Sequence, residues 1–402
     1  MLKILIVTPI YPFPEYRDGT RKILTNILKH LSSKFQFEIL TLYQSEDEKF
    51  FSFENHYPTV YHKIHYRVPT KVKSLLKWSI SRYPFNPNKY AATYHTIANR
   101  VNQIGQRFNV IHFATPFLAP VIELLQPALQ KKALLFCHDA MSLLTQRRWQ
   151  WERSRLTKLS LFLDYQKTVA FEKKYYLLPR KTIFVSEVDA QFIRSLNRDI
   201  QVSWIPNGVD VGYFHPREES VEQNSMIFTG NLDYAPNADA ALFLTEVLFP
   251  RLKEKIIGLT LYIVGNHPPK KLLKHHNGRD IIITGFVDDV RDYLAKAALF
   301  VSPLRYGSGM KNKILEAMAM EKAVIGSPVS LEGIRGLIHR QNILIMDGLD
   351  SGQWVHTISK VLPDKDTLIN IGKAARQLMV EQYAWDKICQ SYQRIYEDCA
   401  SQ

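Results

Sequence analysis

The residues best suited to chemistry lie in one stretch, 307–326, which reads GSGMKNKILEAMAMEKAVIG. Its spacing predicts a glycine-broken loop that leads into a helix with Lys311 and Lys313 in the first turn. The amides and the dipole of such a helix end attract an anion, the glycines let the backbone approach closely, and the lysines add full charges. Glu316 follows about one turn later, where a carboxylate can accept hydrogen bonds from sugar hydroxyls. The combination suits a nucleotide linked to a sugar.

Three runs in and around this stretch resemble the donor site of glycosyltransferase family 4. They are SPLRYGSG at 302–309, KNKILEAMA at 311–319 and AVIG at 323–326. The resemblance implies an α/β chain of GT-B architecture, in which two Rossmann-like domains face each other across a cleft and a C-terminal helix returns to the first domain. The family usually carries a first glutamate eight positions before Glu316, where this chain has Ser308. The chain therefore departs from the family at a residue that serves the transferred hexose.

The resemblance also implies roles for individual side chains. Sugar transfer requires stabilising the charge that develops on a departing pyrophosphate, and fixed positive groups are the largest expected contribution. We predict Arg305, Lys311 and Lys313 for this task, and His138 matches the family's cleft histidine, which contacts the transferred sugar. The predicted catalytic residues are His138, Arg305 and Lys311, although a histidine after a strand could equally be a core hydrogen-bonding group. The predicted donor-binding residues are Gly19, Gly230, Asn231, Val287, Ser308, Gly309, Met310, Lys313 and Glu316.

The sequence leaves several details of this site open. Only one of Lys311 and Lys313 needs to face phosphate, because a two-residue spacing on a helix points them apart. Glu316, assigned to ribose hydroxyls, could be an ordinary solvated helix residue. Related enzymes take an arginine and a lysine from the loop after the first strand of the second domain, whereas that loop here, 230–234, reads GNLDY and has no cation. Family members use the segment at 285–290 to contact the nucleotide base through backbone groups.

We expect a metal-independent reaction without a cofactor. No Asp-x-Asp signature stands out at a strand end, and the carboxylates of the adjacent Asp288 and Asp289 would diverge in an extended segment. We predict that this pair caps a helix, and Asp139 and Glu187 at strand ends could do the same. The three cysteines give neither a disulfide framework nor a metal spacing, which indicates a reducing, cytoplasmic environment.

Length and apolar patterning predict two domains. A chain of 402 residues is too long for one ordinary core, so we place the first Rossmann-like domain at 1–202, the second at 203–380 and the returning helix at 381–402. Residues 204–210, WIPNGVD, resemble the family's interdomain linker. Short apolar runs predict parallel strands, with ligands beyond their carboxyl ends. The predicted strands are 2–8, 37–43, 61–68 (at an edge), 110–113, 133–139, 182–187, 226–229, 259–264, 281–284, 299–302, 323–325 and 342–345.

The positive charge is concentrated in the first half. Residues 1–202 contain 30 Lys/Arg and 15 Asp/Glu, a balance of +15, whereas 203–402 contain 22 and 23, a balance of −1, which together give the net charge of +14. A basic domain suggests an anionic partner, such as a membrane leaflet with acidic lipids or a phosphorylated acceptor, but it could be only a basic soluble surface. Nucleic acid is not expected, because no zinc-finger spacing, RNP signature or recognition helix is present.

Two basic segments of the first half bear on the membrane alternative. Residues 146–174 are predicted as one helical stretch in which arginines alternate with Trp149 and Trp151, and residues 71–78, KVKSLLKW, form a second basic patch. Either segment could lie on a membrane interface, or could be a solvated helix with its apolar side inward. We therefore expect a cytoplasmic protein, with peripheral attachment to the inner membrane face as an open alternative.

Together these patterns predict an enzyme. The family resemblance implies a retaining glycosyltransferase that moves a sugar from a UDP or GDP sugar to a glycan or lipid-linked acceptor in polysaccharide or glycolipid biosynthesis. Two alternatives stay open: a sugar-nucleotide 2-epimerase of the same architecture, and a non-catalytic protein that uses its basic half on membranes or nucleic acid. A cleft between domains further predicts closure when the donor binds.

Overall fold

The computed structural model describes residues 1–14, 19–57, 59–67, 78 and 81–401. The predicted basic patch at 71–78 therefore lies outside the described residues except for Trp78. The chain forms two compact units, one made of Met1–Asn207 with Trp385–Gln402 and the other of Gly208–Ala384. Each unit is a parallel sheet with helices, which confirms the predicted α/β class with two Rossmann-like domains.

The first unit is built on a sheet whose described strands are all parallel. In chain order they are β1 Leu2–Thr8, β2 Phe35–Tyr43, β3 Val60–His65, β4 Val110–Phe113, β5 Ala133–Cys137, β6 Lys181–Phe184 and β7 Val202–Trp204. They lie in the order β3-β2-β1-β4-β5-β6-β7, so β3 is at the edge, as predicted, although it ends at His65 and Val68 of the predicted strand lies outside the described residues. Ile4 to Val7 of β1 are fully buried, because a parallel sheet is covered on both faces.

Helices connect these strands. They are α1 Gly19–Leu31, α2 Phe85–Asn88, α3 Tyr94–Ile104, α4 Ala119–Glu123, α5 Pro127–Gln130, α6 Met141–Trp151, α7 Arg155–Tyr175 and α8 Glu187–Leu196. A 3-10 segment at Ser45–His56 precedes β3. None of the described helices in the chain has the length and apolar character needed to cross a bilayer.

The predicted helical stretch over 146–174 is helical, but it is divided between two helices. The chain leaves the helix after Trp151 and starts a new one at Arg155. The Glu152 carboxylate accepts the backbone N–H groups of Arg153 and Ser154 at 2.8 and 2.9 Å, and the Ser154 hydroxyl caps α7 by accepting from the N–H of Thr157. Side chains that bond to nearby backbone compete with helix continuation, so a turn forms here.

The second unit repeats the same plan. Its strands are β8 Glu222–Thr229, β9 Thr260–Val264, β10 Ile281–Gly285, β11 Ala297–Ser302, β12 Ala323–Gly326 and β13 Leu344–Ile345, in the order β10-β9-β8-β11-β12-β13. Its helices are α9 Ala235–Phe243, α10 Phe249–Lys253, α11 Lys270–Leu273, α12 Val290–Lys296, α13 Asn312–Ala319, α14 Pro328–Leu331, α15 Ser351–Val361 and α16 Lys365–Leu378. π-helical turns follow α9 and α16.

Strand order defines a crevice at the carboxyl edge of the second sheet. From β8 the chain proceeds to β9 and β10 on one side, and then to β11, β12 and β13 on the other. Connections after β8 and β11 therefore leave in opposite directions, which is the arrangement where ligands bind in open α/β sheets. The glycine and lysine loop follows β11, so the fold puts it at this position.

The boundaries between the two units differ from the predicted boundaries after residues 202 and 380. Residues up to Trp204 belong to the first unit because β7 pairs with β6. Close to the second crossing, the N–H of Val209 donates to the carbonyl of Tyr383 at 2.8 Å, which keeps 380–384 with the second unit. The last helix, α17 Trp385–Ala400, then lies in the first unit, where it packs against α1 and β4.

A buried polar pair joins α17 to the first sheet. Nδ1 of His112 on β4 lies 2.7 Å from the hydroxyl of Tyr396. Burial, together with the nearby His138, lowers the pKa of His112 to about 3, so the ring is neutral at pH 7 and depends on this hydrogen bond. We expect Tyr396→Phe to lower the free energy of unfolding by about 1 to 3 kcal/mol, since it leaves a buried imidazole nitrogen without its partner.

Urea unfolding monitored by circular dichroism would measure this loss. Tyr392→Phe on the same helix is the matched control, because its hydroxyl makes no hydrogen bond within the described residues. Equal stability of the two variants would contradict a role for the pair in docking α17.

Candidate active site

The loop after β11 owes its shape to two glycines. Gly307 and Gly309 have φ of +149° and +65°, which side chains other than hydrogen rarely tolerate. Lys311 then adopts an extended conformation with φ −98° and ψ 97°, and α13 begins at Asn312. The sequence placed both lysines in the first turn of the helix; only Lys313 is there, and Lys311 precedes it.

Lys311 turns back over its own loop. Its Nζ donates to the carbonyl oxygens of Ser308 at 3.0 Å and Gly309 at 2.5 Å, and its side chain is half-buried. The carbonyls hold the ammonium beside the start of α13, where the helix dipole also favours negative charge. The arrangement concentrates positive potential at the carboxyl end of β11.

Lys313 points to the neighbouring loop, as its two-residue spacing from Lys311 predicts. Its Nζ lies 2.5 Å from Oδ1 of Asn237 and 4.1 Å from the ring centroid of Phe228 on β8. Enclosure of this ammonium lowers the pKa of Lys313 well below the usual lysine value, and the positive charge of Lys311 adds to the effect. Within the described residues no carboxylate lies within ion-pair distance of Lys313. The half-buried ammonium of Lys313 therefore has no ion-paired carboxylate in the described part of the chain, although Glu316 is near enough to oppose the lowering of its pKa.

Arg305 is committed to a different partner. Its guanidinium forms a bidentate ion pair with Asp239 on α9, with Nε 2.6 Å from Oδ2, and it lies over the ring of Phe243. A bidentate pair fixes the guanidinium plane and shares its charge. The predicted contact of Arg305 with a leaving phosphate stays a prediction, and the pair explains how the side chain is oriented.

The loop after β8 lies directly against the end of β9. A Cβ added to Gly265 would stand 1.7 Å from the carbonyl oxygen of Gly230, and a Cβ at Gly230 would stand 3.1 Å from Nζ of Lys313. The amide of Asn237 donates to the carbonyl of Asn231 at 2.8 Å, so Asn237 links this loop to Lys313. Backbone packing thus brings the loop, which has no cation of its own, to the lysine.

We expect Gly265→Ala to disrupt this loop. A methyl group at this distance from a backbone oxygen forces the strand end or the loop to move, at a cost of about 2 kcal/mol or more in the free energy of unfolding. The melting temperature and nucleotide-dependent stabilisation should both fall. Gly348→Ala is the control, since a Cβ there meets nothing within 4 Å. Identical behaviour of the two variants would contradict the close approach.

The other predicted donor-binding residues of this unit lie on the same edge. Ser308 and Met310 are buried in the loop after β11, and Glu316 is half-buried on α13, close enough to Lys313 to oppose the lowering of its pKa. Val287 follows β10 and is half-buried. The predicted capping by Asp289 is confirmed, because its carboxylate accepts the N–H of Arg291 at 2.9 Å.

The remaining two predicted residues belong to the first unit. Gly19 is the first residue of α1, and the next residue, Thr20, places its hydroxyl 2.7 Å from Nε2 of His138 after β5. His138 and Thr20 line a small cavity of about 10 Å³ together with His112. His138 is therefore held by α1, which the sequence did not indicate.

Sequence reasoning missed three residues that organise the second unit's site. Asn237, Asp239 and Gly265 are far from the loop after β11 in sequence, and only the alignment of β8, β9 and β11 brings them to it. The described residues contain no group of three or more His, Cys, Asp or Glu side chains able to hold a metal ion.

Comparison with known proteins agrees with this arrangement. Residues 223–364 match the family model described as glycosyl transferases group 1, and residues 17–213 match that of glycosyltransferase family 4. The chain belongs to glycosyltransferase family 4. The first model spans the loop after β8 and the loop after β11, so the family assignment covers both sides of the candidate site.

Individual relatives of this family 4 chain are distant. It is 24% identical over 229 residues, 52% of this chain and 58% of the relative, to a GDP-mannose-dependent alpha-(1-6)-phosphatidylinositol monomannoside mannosyltransferase of Mycobacterium tuberculosis. It is 25% identical over 264 residues, 60% of this chain and 63% of the relative, to an uncharacterized glycosyltransferase of Methanocaldococcus jannaschii. The chain thus matches less than two thirds of the length of either curated relative.

Solved structures share the fold of the family 4 chain. Sucrose-phosphate synthase from Thermosynechococcus elongatus superposes with a TM-score of 0.75 at 16% identity, covering 100% of both chains. The Anabaena protein HepE in complex with UDP superposes with a TM-score of 0.69 at 14% identity, covering 99% of this chain and 100% of that one. At these identities the likeness establishes the GT-B fold.

Proposed function

We propose that this chain is a retaining glycosyltransferase that transfers a sugar from a nucleoside-diphosphate sugar to a glycan or lipid-linked acceptor. The observation that carries the proposal is Lys313. Its half-buried ammonium lies against an amide oxygen and an aromatic face and has no ion-paired carboxylate, so a diphosphate would supply an anionic partner. Lys311 and the glycine loop stand beside it at the sheet edge where ligands of this fold class bind.

The proposed chemistry uses these cations on the leaving group. As the anomeric bond breaks, charge accumulates on the pyrophosphate, and donors already oriented toward it stabilise that charge without reorganisation. Lys311 would contact the phosphates from the loop side, and Lys313 from the side of β8. Arg305, oriented by Asp239, would act at the rim of the same loop.

Retention is proposed on the family relationship. A retaining reaction in which the incoming hydroxyl attacks on the face that the phosphate leaves needs no nucleophile from the protein. Ser308 occupies the position of the family's first glutamate. A route of this kind does not need a nucleophilic carboxylate at that position. His138 is proposed to contact the transferred sugar from the first unit, with its ring held by Thr20.

The donor is proposed to be a UDP or GDP sugar. HepE was solved with UDP and with UDP-glucose, and the mycobacterial relative is named as GDP-mannose-dependent. A thermal-shift screen of the purified chain against UDP, GDP, ADP and their sugars tests this directly, because a ligand that binds the native state raises the melting temperature. No stabilisation by any of them would overturn the proposal.

A second assay separates transfer from epimerisation. The chain is incubated with UDP-GlcNAc alone and followed by NMR. A transferase should leave the donor intact or hydrolyse it slowly, whereas net conversion to the 2-epimer without acceptor would replace the proposal by the epimerase alternative. Release of nucleoside diphosphate that accelerates with a glycan or lipid-linked acceptor would support transfer.

Glu316 is proposed to accept hydrogen bonds from the ribose hydroxyls. Glu316→Ala should weaken nucleoside-diphosphate binding by about 10- to 100-fold, the range expected when a hydrogen bond to a charged group is lost. Isothermal titration with the best nucleotide from the screen measures the change. Glu254→Ala, at an exposed glutamate of the same unit, should bind as the wild type does. Equal affinity in the two variants would remove Glu316 from the site.

A further inference from the structure

The hairpin of α6 and α7 presents an apolar face to solvent. Leu156, Leu159 and Leu163 of α7 are 85%, 59% and 48% exposed, and Trp151 at the end of α6 is 39% exposed. The spacing of three and four residues puts the leucines on one side of the helix. Single exposed leucines are ordinary, but a row of three beside a tryptophan marks an interaction surface.

The remainder of the hairpin packs against the first unit. The exposed leucines therefore belong to a helix that is held in place by buried residues. Thr168, Phe171, Glu172 and Tyr175 in the second half of α7 are buried. The Trp149 ring of α6 packs on Phe162 of α7 at 5.3 Å between ring centroids. The hairpin therefore has an inner apolar side that packs against the protein and an outer side on which Leu156, Leu159 and Leu163 are exposed.

Basic side chains surround the exposed face. Residues 147–163 contain five Lys/Arg and one Asp/Glu, a balance of +4. Arg148, Arg153 and Arg155 are exposed, and none of them lies within ion-pair distance of a carboxylate in the described part of the chain. The single acid, Glu152, is used locally to hold the turn between the helices. Apolar residues and positive charges thus share one surface.

We propose that this hairpin docks the protein on a phospholipid bilayer with anionic headgroups. The leucines and Trp151 would enter the boundary between headgroups and acyl chains, while the arginines remain with the phosphates. A second protein could cover an apolar face, but the exposed positive charge of Arg148, Arg153 and Arg155 around this one is complementary to an acidic leaflet. The proposal is independent of the transfer reaction, since it uses no residue of the candidate active site.

Vesicle flotation of the full chain tests the proposal. The wild type should float with vesicles of phosphatidylcholine mixed with phosphatidylglycerol, and should remain below with phosphatidylcholine alone. Leu156→Ser combined with Leu159→Ser should lower the partition coefficient by about tenfold or more. Arg153→Gln combined with Arg155→Gln should lower it by about 30-fold on anionic vesicles, and raised salt should weaken binding of the wild type.

The control is Ile257→Ser, which removes an equally apolar, 92% exposed side chain from the second unit and should bind as the wild type does. All of these positions are exposed, so the melting temperature should not change in any variant. Failure of the wild type to float, or equal loss in the Ile257 control, would overturn the proposal. A wild type that elutes as a dimer, and becomes a monomer only in the leucine variant while no variant binds vesicles, would assign the face to a second copy instead.

Discussion

Lys311→Ala is expected to lower kcat/KM for sugar transfer by about 100- to 1,000-fold, the range found when a group that stabilises developing negative charge is removed. The Lys311 ammonium donates to the carbonyls of Ser308 and Gly309 in its own loop, and we expect the sheet to form without these two hydrogen bonds. Initial rates with saturating acceptor, together with nucleoside-diphosphate affinity by calorimetry, measure the effect.

Two further expected results would make the effect specific to Lys311. Its loss should reduce kcat as well as affinity, because the contact strengthens as charge develops on the leaving group. Lys255→Ala, which removes an exposed lysine elsewhere in the same unit, should change neither. Unaltered rates in the Lys311 variant, with the wild-type melting temperature retained, would exclude the loop after β11 from the reaction.

Lys313→Met is expected to separate stability from binding. Methionine has a similar volume and no charge, so replacing a half-buried ammonium that has no ion-paired carboxylate should leave the apo protein as stable as before or more so. Nucleoside-diphosphate binding should nevertheless weaken by about 100-fold, since the anion loses a partner in a poorly solvated place. A variant that is destabilised and yet binds normally would show that Lys313 serves packing instead.

The pH dependence of the free energy of unfolding provides a second test of Lys313→Met. The folded-state pKa of Lys313 lies below its unfolded value, so between the two values the unfolded chain binds more protons. Apo stability therefore rises with pH through that window, and Lys313→Met should remove this contribution to the slope. Urea unfolding of both proteins across a pH series, without nucleotide, measures the difference.

Much of the fold could be predicted because its signals are local. The strands at 2–8 and 110–113 were predicted with the observed bounds, since strands buried on both faces read as short apolar runs. The glycine loop before Lys311 was also visible, because positive φ at Gly307 and Gly309 calls for glycine whatever the surroundings. The family runs around it then indicated the architecture and the class of ligand.

The hairpin of α6 and α7 shows what could not be predicted from local sequence. Residues 146–174 have helix-forming composition throughout, and the break after Trp151 depends on the Glu152 and Ser154 side chains bonding to backbone instead of to solvent. The sequence left open whether the apolar residues of this stretch face inward or outward. The inner side of α7 was decided by packing of Phe162 on Trp149, which leaves the leucines outside.

The sequence by itself determined a two-domain α/β chain, its strands, and a cationic glycine loop of a glycosyltransferase family, because backbone conformation and apolar period are written in neighbouring residues. Only the tertiary structure determined which side chain each cation contacts. Lys313 reaches Asn237, and Arg305 reaches Asp239, because strand order aligns β8 with β11 across many intervening residues. Electrostatic environment depends on distances between side chains remote in sequence, and those distances exist only once the sheet has formed.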